Sequence, residues 1–362
     1  MNNLRYVVLQ ATVLGAIAVG PRWQTTLAQT TSPSSTLLSS RAVVFNPATR
    51  KVYAVDKSRD AIFISNQAAN VTSSVRVGRE PVAIAVNPAT NRVYVANAGS
   101  GTVSVLEGQN DSIVATVSVG ALPYVLAVSE ASNRIYVSNT FRDLLTIIDG
   151  TTNTTKTVKT GSADAIAIDP KAGKIYLLGY EDSNLNVLDE ASGELSKIEI
   201  GMHLWSMALN QATNTLYVTL AGSAAVVALD EKSRSLTTIP TGAIPCAVAV
   251  NPLTNTTYVV NYQDNSVTVI DGARHVAIST VRVGEHPQAI AVDSKANLIY
   301  VANTRGNSVT VIDGTSNAPI ATLNAGLSPY SIVANPNSGR PSVSNLGEPS
   351  FMTIDPHMTQ PR

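Results

Sequence analysis

Val93-Tyr94-Val95-Ala96-Asn97 recurs as Ile135-Tyr136-Val137-Ser138-Asn139 and again as Ile299-Tyr300-Val301-Ala302-Asn303. Weaker copies stand at Val52-Tyr53-Ala54-Val55-Asp56, Ile175-Tyr176-Leu177-Leu178-Gly179, Leu216-Tyr217-Val218-Thr219-Leu220 and Thr257-Tyr258-Val259-Val260-Asn261. Successive tyrosines of this set lie 41, 42, 40, 41, 41 and 42 residues apart, and a degraded copy at Pro341–Asn345 puts Ser342 another 42 residues on. A period this constant marks a repeat architecture.

Each unit carries four short β-branched runs separated by turn residues. In the second unit these are strand a (Ala83–Asn87), strand b (Val93–Ala96), strand c (Thr102–Glu107) and strand d (Ala115–Val119). Pro and Gly fall in the connections, where they fix φ or permit positive φ, and rarely within strands. No segment sustains a 3.6-residue apolar period, so helix is expected to be minimal. Four antiparallel strands in about 40 residues, repeated, make a propeller blade. The apolar runs are Val, Ile and Ala on both alternations, as blades covered on both faces by their neighbours require.

The Tyr-Val-x-Asn core resembles the YVTN-repeat β-propellers, as do the Val-x-Val-Ile-Asp runs at 267–271 and 309–313 and the Val-Gly-x-x-Pro crossings at 77–81, 119–123 and 283–287. The resemblance covers about residues 41–355. It implies the propeller fold and a setting among exported bacterial and archaeal surface-layer proteins, with no single chemistry attached. Leu178-Gly179, Thr219-Leu220 and the missing tyrosine of the last unit depart from the pattern.

Eight a strands begin near 42, 83, 125, 165, 206, 247, 289 and 331, and eight c strands end near 65, 107, 149, 189, 230, 271, 313 and 355, but only seven d strands can be found. The expectation is an all-β, single eight-bladed propeller over 41–362, with seven blades as the competing count. An unfinished eighth blade leaves an open strand edge. Thr36-Leu37-Leu38-Ser39-Ser40, just before the first a strand, is expected to pair with strand c at 350–355 and close the ring.

Residues 1–28 read as an export leader: Arg5, an apolar stretch from Tyr6 to Gly20, a break at Pro21, and Leu27 between the small residues Thr26 and Ala28. Cleavage is expected near Ala28, leaving 29–40 as a polar linker and a mature chain in the periplasm, outside the cell or on its surface. The 15-residue apolar stretch is shorter than the roughly 20 residues needed to cross a bilayer, and no transmembrane segment is expected in the mature chain.

The chain has 362 residues, 25 basic and 25 acidic, so the net charge is zero and gives no general footprint for nucleic acid. The single cysteine, Cys246, excludes an internal disulfide framework, a CxxC motif, a structural zinc cluster and covalent haem. Cys246 reads as a small buried apolar residue. His203, His275, His286 and His357 show no ligand spacing, and no phosphate loop, dinucleotide fingerprint or nucleophile elbow is present. No metal and no cofactor is therefore expected. The aspartates after strand c (Asp149, Asp189, Asp230, Asp271, Asp313 and Asp355) read as Asx-turns. The asparagines ending strand b are read as structural too.

Divergence between copies is more informative. The d–a crossings carry Arg79-Glu80, Tyr124, His203 with Trp205, His286 and Tyr330; the b–c loops carry Phe141-Arg142, Tyr180-Glu181, Tyr262 and Arg305. Strand alternation places both loop sets on one face, where aromatic residues, scarce at 5%, are gathered. Ordinary loop polarity does not account for them. The expectation is an exported binding propeller that recognises a protein partner or small ligand through this face around the central channel. The competing reading is a propeller-type hydrolase or lactonase using Glu80, Glu285, His203 and His286 as acid and base, set against inner strands that are almost wholly Ala, Ile and Val. A redox propeller lacks any attachment residue.

Overall fold

The β-branched runs form strands wherever Pro, Gly, Asn and Asp bound them. A computed structural model describes residues 38–39, 42–66, 71–139, 143–347 and 351–356, and every regular element in them is a strand. The strands make eight antiparallel blades in a ring, each running a, b, c, d outwards from the central channel. Blade 1 is Val43–Asn46, Lys51–Asp56, Ala61–Asn66 and Val71–Arg76. Blades 2 to 7 follow over 81–118, 123–159, 165–199, 204–240, 245–282 and 287–324. Blade 8 has three described strands, Pro329–Val333, Ser342–Asn345 and Phe351–Thr353. The eight-blade count stands.

The apolar core lies between blades. Each of the eight buried clusters straddles one blade–blade interface. Ala165, Tyr176 and Leu185 of blade 4, for example, meet Met207, Leu216 and Val227 of blade 5. The repeat tyrosines are buried within these interfaces; six of them are among the largest fully buried side chains. Tyr53 also reaches across to the next blade, its hydroxyl donating to Asp111 Oδ1 at 2.8 Å, and Tyr136 donates to Glu190 Oε1 at 2.6 Å. A second interblade clasp joins the end of strand a to the following blade's a–b turn. Asn46 Nδ2 donates to Asn91 Oδ1, Asn87 to Asn133, Asn210 to Asn255 and Asn251 to Asn297, all at 2.7–2.8 Å. The expected Asx-turns are present: Asp149, Asp189, Asp230, Asp271 and Asp313 each accept backbone N–H bonds two and three residues on. Asp355 instead pairs with Arg340 at 2.7 Å.

Closure differs from the sequence expectation. Leu38–Ser39 does not pair with the outer strand of blade 8; it lies antiparallel to Pro123–Ser129, the innermost strand of blade 3, with Leu38 opposite Val128 and Ser39 opposite Ala127. Thr36, Leu37 and Ser40 fall outside the described residues. Chain length explains the difference. A d strand of blade 8 would stand three strand spacings, about 14 Å, outside an innermost strand. The steps from Ser39 to Ala42 span at most about 11 Å. The ring closes by packing instead. Val43, Phe45, Val52 and Ala54 meet Val333, and Tyr330 of blade 8 joins the cluster of Val44, Tyr53 and Ile62. Tyr330, expected as an exposed binding aromatic, is 7% exposed and belongs to this closure. Tyr330→Ala should therefore lower unfolding free energy by about 3–5 kcal/mol in urea titration, as loss of a buried aromatic does. Arg305→Ala, at an exposed loop position, should change it by less than about 0.5 kcal/mol.

The junction of blades 4 and 5 replaces the asparagine clasp by acids. Strand a of blade 4 ends in Asp169, 2% exposed, and Glu231 of blade 5 lies in its electrostatic reach. Burial pushes the Glu231 carboxyl up to about 8, with Asp169 and Asp230 adding to the rise and the Tyr176 hydroxyl opposing it. An acid whose folded value lies above its unfolded one, about 4.3, contributes stability that is complete below about 4.3 and disappears as pH rises through the folded value. The melting temperature of the wild type should accordingly fall relative to Glu231→Gln between about pH 5 and about pH 9. Parallel profiles would show that this carboxyl is not the source.

Candidate binding face at the channel mouth

The d–a crossings and b–c loops share one face and are bonded into a continuous rim. In six crossings the residue before strand a is left-handed: Glu80, Leu122, His203, Ile244, His286 and Ser328, with φ between 49° and 58°. Non-glycine residues adopt this region uncommonly, so surrounding bonds must hold it. The carbonyls of Glu80, His203, Ile244, His286 and Ser328 accept from the first b–c residue of their own blade, at 2.8–3.0 Å. From the other side, the preceding blade's b–c loop accepts their N–H groups: Glu80 to Asp60, His286 to Asn265 and Ser328 to Asn307, at 2.7–2.8 Å. The crossings at Glu80, His286 and Ser328 are thus each tied to two b–c loops.

Immediately inside these six strands the pairing slips. Pro81 opposes Asn97 and Ala83 opposes Ala96, leaving Val82 unpaired in a bulge. The same shift frees Cys246, Gln288 and Tyr330, and frees Tyr124 and Trp205 together with the residue after each. Bulges re-aim side chains, and here they do so at the same ring position in blade after blade. The backbone is repeated, while the side chain it presents is Val, Tyr, Trp, Cys, Gln or Tyr. In the blades with Tyr124 and Trp205 a hydroxyl of strand b holds the bulge: Val125 N–H donates to Ser138 Oγ at 3.2 Å and Ser206 N–H to Thr219 Oγ1 at 2.9 Å.

Blades 4 to 7 gather the aromatics. Tyr180 lies edge-on to Trp205, centroids 5.1 Å apart and planes at 89°, and is 5.5 Å from the His203 ring. Trp205 is half-buried, packing with Tyr262 against the cluster that contains Cys246. Tyr262 meets His286 edge-on at 4.7 Å. The structure thus brings five of the sequence-named residues into an arc at the channel mouth. Cys246 is buried as expected; burial pushes its thiol up to about 12. Its Sγ–H donates to Pro287 O at 3.5 Å.

The other named residues lie apart from this arc. Arg79 and Glu80 are exposed on blade 2, Arg79 donating to Gly99 O at 3.1 Å and Glu80 standing 3.9 Å from Lys57. Tyr124 is half-buried against the cluster between blades 3 and 4. Glu181 and Arg305 are exposed. Phe141 and Arg142 lie outside the described residues. Among the described residues no group of three or more His, Cys, Asp or Glu is arranged to hold a metal. Sequence reading passed over Gln288, whose Oε1 lies 3.0 Å from the Thr304 hydroxyl, which also lies 2.7 Å from Pro329 O. The usable signal was positional, since the bulged residue usually follows the proline that opens strand a.

Residues 14–340 match the family of YNCE-like beta-propellers. The chain belongs to that family. No curated protein matches the sequence. Among solved structures, the dihydro-heme d1 dehydrogenase NirN in complex with DHE superposes with a TM-score of 0.73 at 14% identity, covering 94% of this chain and 79% of that one. Hydrazine synthase of Kuenenia stuttgartiensis gives 0.60 at 18%, covering 83% of this chain and 98% of that one. Apo AztD from Citrobacter koseri gives 0.59 at 14%, covering 81% and 88%. At these identities the likeness is one of fold.

The staple under Trp205 can be tested. Thr219→Val keeps the shape of the YNCE-like blade but leaves the Ser206 N–H, in a fully buried residue, without that acceptor. Leaving a buried donor unpaired costs about 1–3 kcal/mol. Urea unfolding should show a loss of that size, with a change in Trp205 fluorescence in the folded baseline.

Proposed function

We propose that this protein is an exported propeller that binds a small ligand or a protein partner through the channel mouth formed by its d–a and b–c loops. The observation that carries the reading is the bulge at the head of strand a. One backbone device recurs in six blades, yet it presents side chains that differ in size and chemistry, including half-buried Trp205 and Tyr124. Fold alone would be served by any small apolar residue there. Rigidly mounted Trp and Tyr are the residue types that anchor binding. The ring's tolerance of a bound group is supported by NirN, described in complex with DHE on a related fold.

Export rests on the leader reading of residues 1–28, and the kinship with YVTN-repeat propellers rests on the Tyr-Val-x-Asn motifs. Among the described residues, no helix is long and apolar enough to cross a membrane.

The experiment is a melting screen of the mature protein against a panel of small molecules, repeated on variants of either face. A compound that raises the wild-type melting temperature should lose its effect in Tyr180→Ala and Trp205→Ala. It should keep its effect in Leu253→Ala, whose residue is 69% exposed in an a–b turn on the opposite face. Loss only in Leu253→Ala would place binding on the wrong face for this reading.

A further inference from the structure

We infer that the corner between blades 4 and 5, walled by Tyr180, Trp205 and His203, is a site for a small organic cation: a quaternary ammonium or protonated amine group. The inference rests on the reading of this mouth as the binding face and names the chemistry of its ligand.

Aromatic geometry comes first. Tyr180 and Trp205 stand at 89° with centroids 5.1 Å apart, and His203 is tilted at 45° to Tyr180. Rings at right angles form a corner in which a cation can meet more than one electron-rich face, and Trp is the strongest such partner. Trp205 is held by its bulge and is only half-buried, and His203 is exposed. The walls are fixed and reachable.

The electrostatics of the corner select charge. Asp164 Oδ2 accepts from the Tyr180 backbone N–H at 2.8 Å, Glu181 follows directly, and Asp182 donates its own N–H to Gly179 O at 3.1 Å. Burial above all holds the Asp182 carboxyl above its ordinary range, with smaller contributions to the rise from Asp143 and Glu181. Lys197 on the outer strand opposes that rise. A ligand cation would oppose it too.

The corner also coincides with breaks in the repeat. Strand b ends in asparagine in blades 2, 3, 6, 7 and 8, but in Asp56 in blade 1, Gly179 in blade 4 and Leu220 in blade 5. A Cβ placed on Gly179 would lie 2.7 Å from Asp182 Oδ2 and 2.9 Å from Ser162 Cβ. A side chain at this position would thus require the Asp182 carboxylate to shift. Two of the three blades that lack the asparagine are the two that build the corner.

The test titrates the mature protein with choline, with tetramethylammonium, and with 3,3-dimethylbutanol, the neutral carbon analogue of choline, following Trp fluorescence and heat. Choline and tetramethylammonium should bind at least about tenfold more tightly than the neutral analogue, as the loss of a desolvated cation–π contact implies. Trp205→Ala should abolish the difference. If that variant does not fold, Tyr180→Leu and the exposed-site variant Glu181→Gln stand in for it, the latter expected to weaken choline about threefold. Equal binding of choline and its neutral analogue would overturn the cation assignment and leave the binding face standing. No saturable binding of either cation would also overturn it, while the face-swap melting screen judges the face independently.

Discussion

A four-stranded blade whose alternate residues are apolar on both sides has no core of its own, and the rest of this molecule follows from that. The buried clusters do not sit inside blades; each is shared by two neighbours, as where Tyr258 and Val269 of blade 6 meet Ile290 and Val301 of blade 7. A blade therefore gains its apolar stabilisation only when the next one is in place, which makes the stability a sum over interfaces. The ring must also close, because an open ring would leave one interface of Val, Ile and Phe facing water. The last interface is the leanest. Among the described residues its cluster has five buried members, Val43, Phe45, Val52, Ala54 and Val333, and Tyr330 of blade 8 adds a contact to the neighbouring cluster of blade 1.

Interblade polar contacts do a different job. The asparagine pairs and the tyrosine hydroxyls lie on the a–b and c–d face, and each fixes the angle at which one blade meets the next. Where blade 3 ends its strand a in Ser129 in place of asparagine, Ser132 and Tyr136 both donate to Glu190 of blade 4; between blades 1 and 2 Lys51 adds to the clasp, donating to Asp111 Oδ2 and to the carbonyls of Gly108 and Gln109. That face is committed to holding the ring. The opposite face carries its crossings on main-chain bonds and on short Asp and Asn side chains of the b–c loops. The large side chains there are left without a role in the clasp, and this frees them to vary.

How much of this was legible follows from what sets each feature. The count of eight blades was legible in the eight a and c strands, and the tyrosine period supports it in seven of them, because a repeated interface imposes the same buried side chain at the same spacing. The aspartates after strand c were readable because an Asx-turn is local, closed within three residues. The Asn46–Asn91 and Asn87–Asn133 pairs are separated by 45 and 46 residues, a repeat plus a turn, and no local rule announces them. Tyr330 was misread for a related reason. It occupies the same bulge position as Trp205, but the neighbour of blade 8 is blade 1, and the packing that covers Tyr330 exists only once the ring is closed. The placement of Leu38–Ser39 was hidden for a metrical reason, since a strand pattern says nothing about which edge the connecting residues can reach.

The candidate site shows the same division between what repeats and what does not. His203 and His286 hold left-handed positions that Glu80, Leu122, Ile244 and Ser328 also hold, so the position is a property of the crossing and the imidazole is an addition to it. Trp205 stands on a bulge that Val82 and Gln288 also stand on. In both cases the backbone cost is met by bonds that recur from blade to blade with different side chains present. Chemistry can then be exchanged at the mouth without reopening the interfaces beneath it. A propeller of this construction separates the residues that must agree from those that can differ: Tyr176 and Tyr217 of blades 4 and 5 belong with the first, and Tyr180, Glu181, His203 and Trp205 of the same blades with the second.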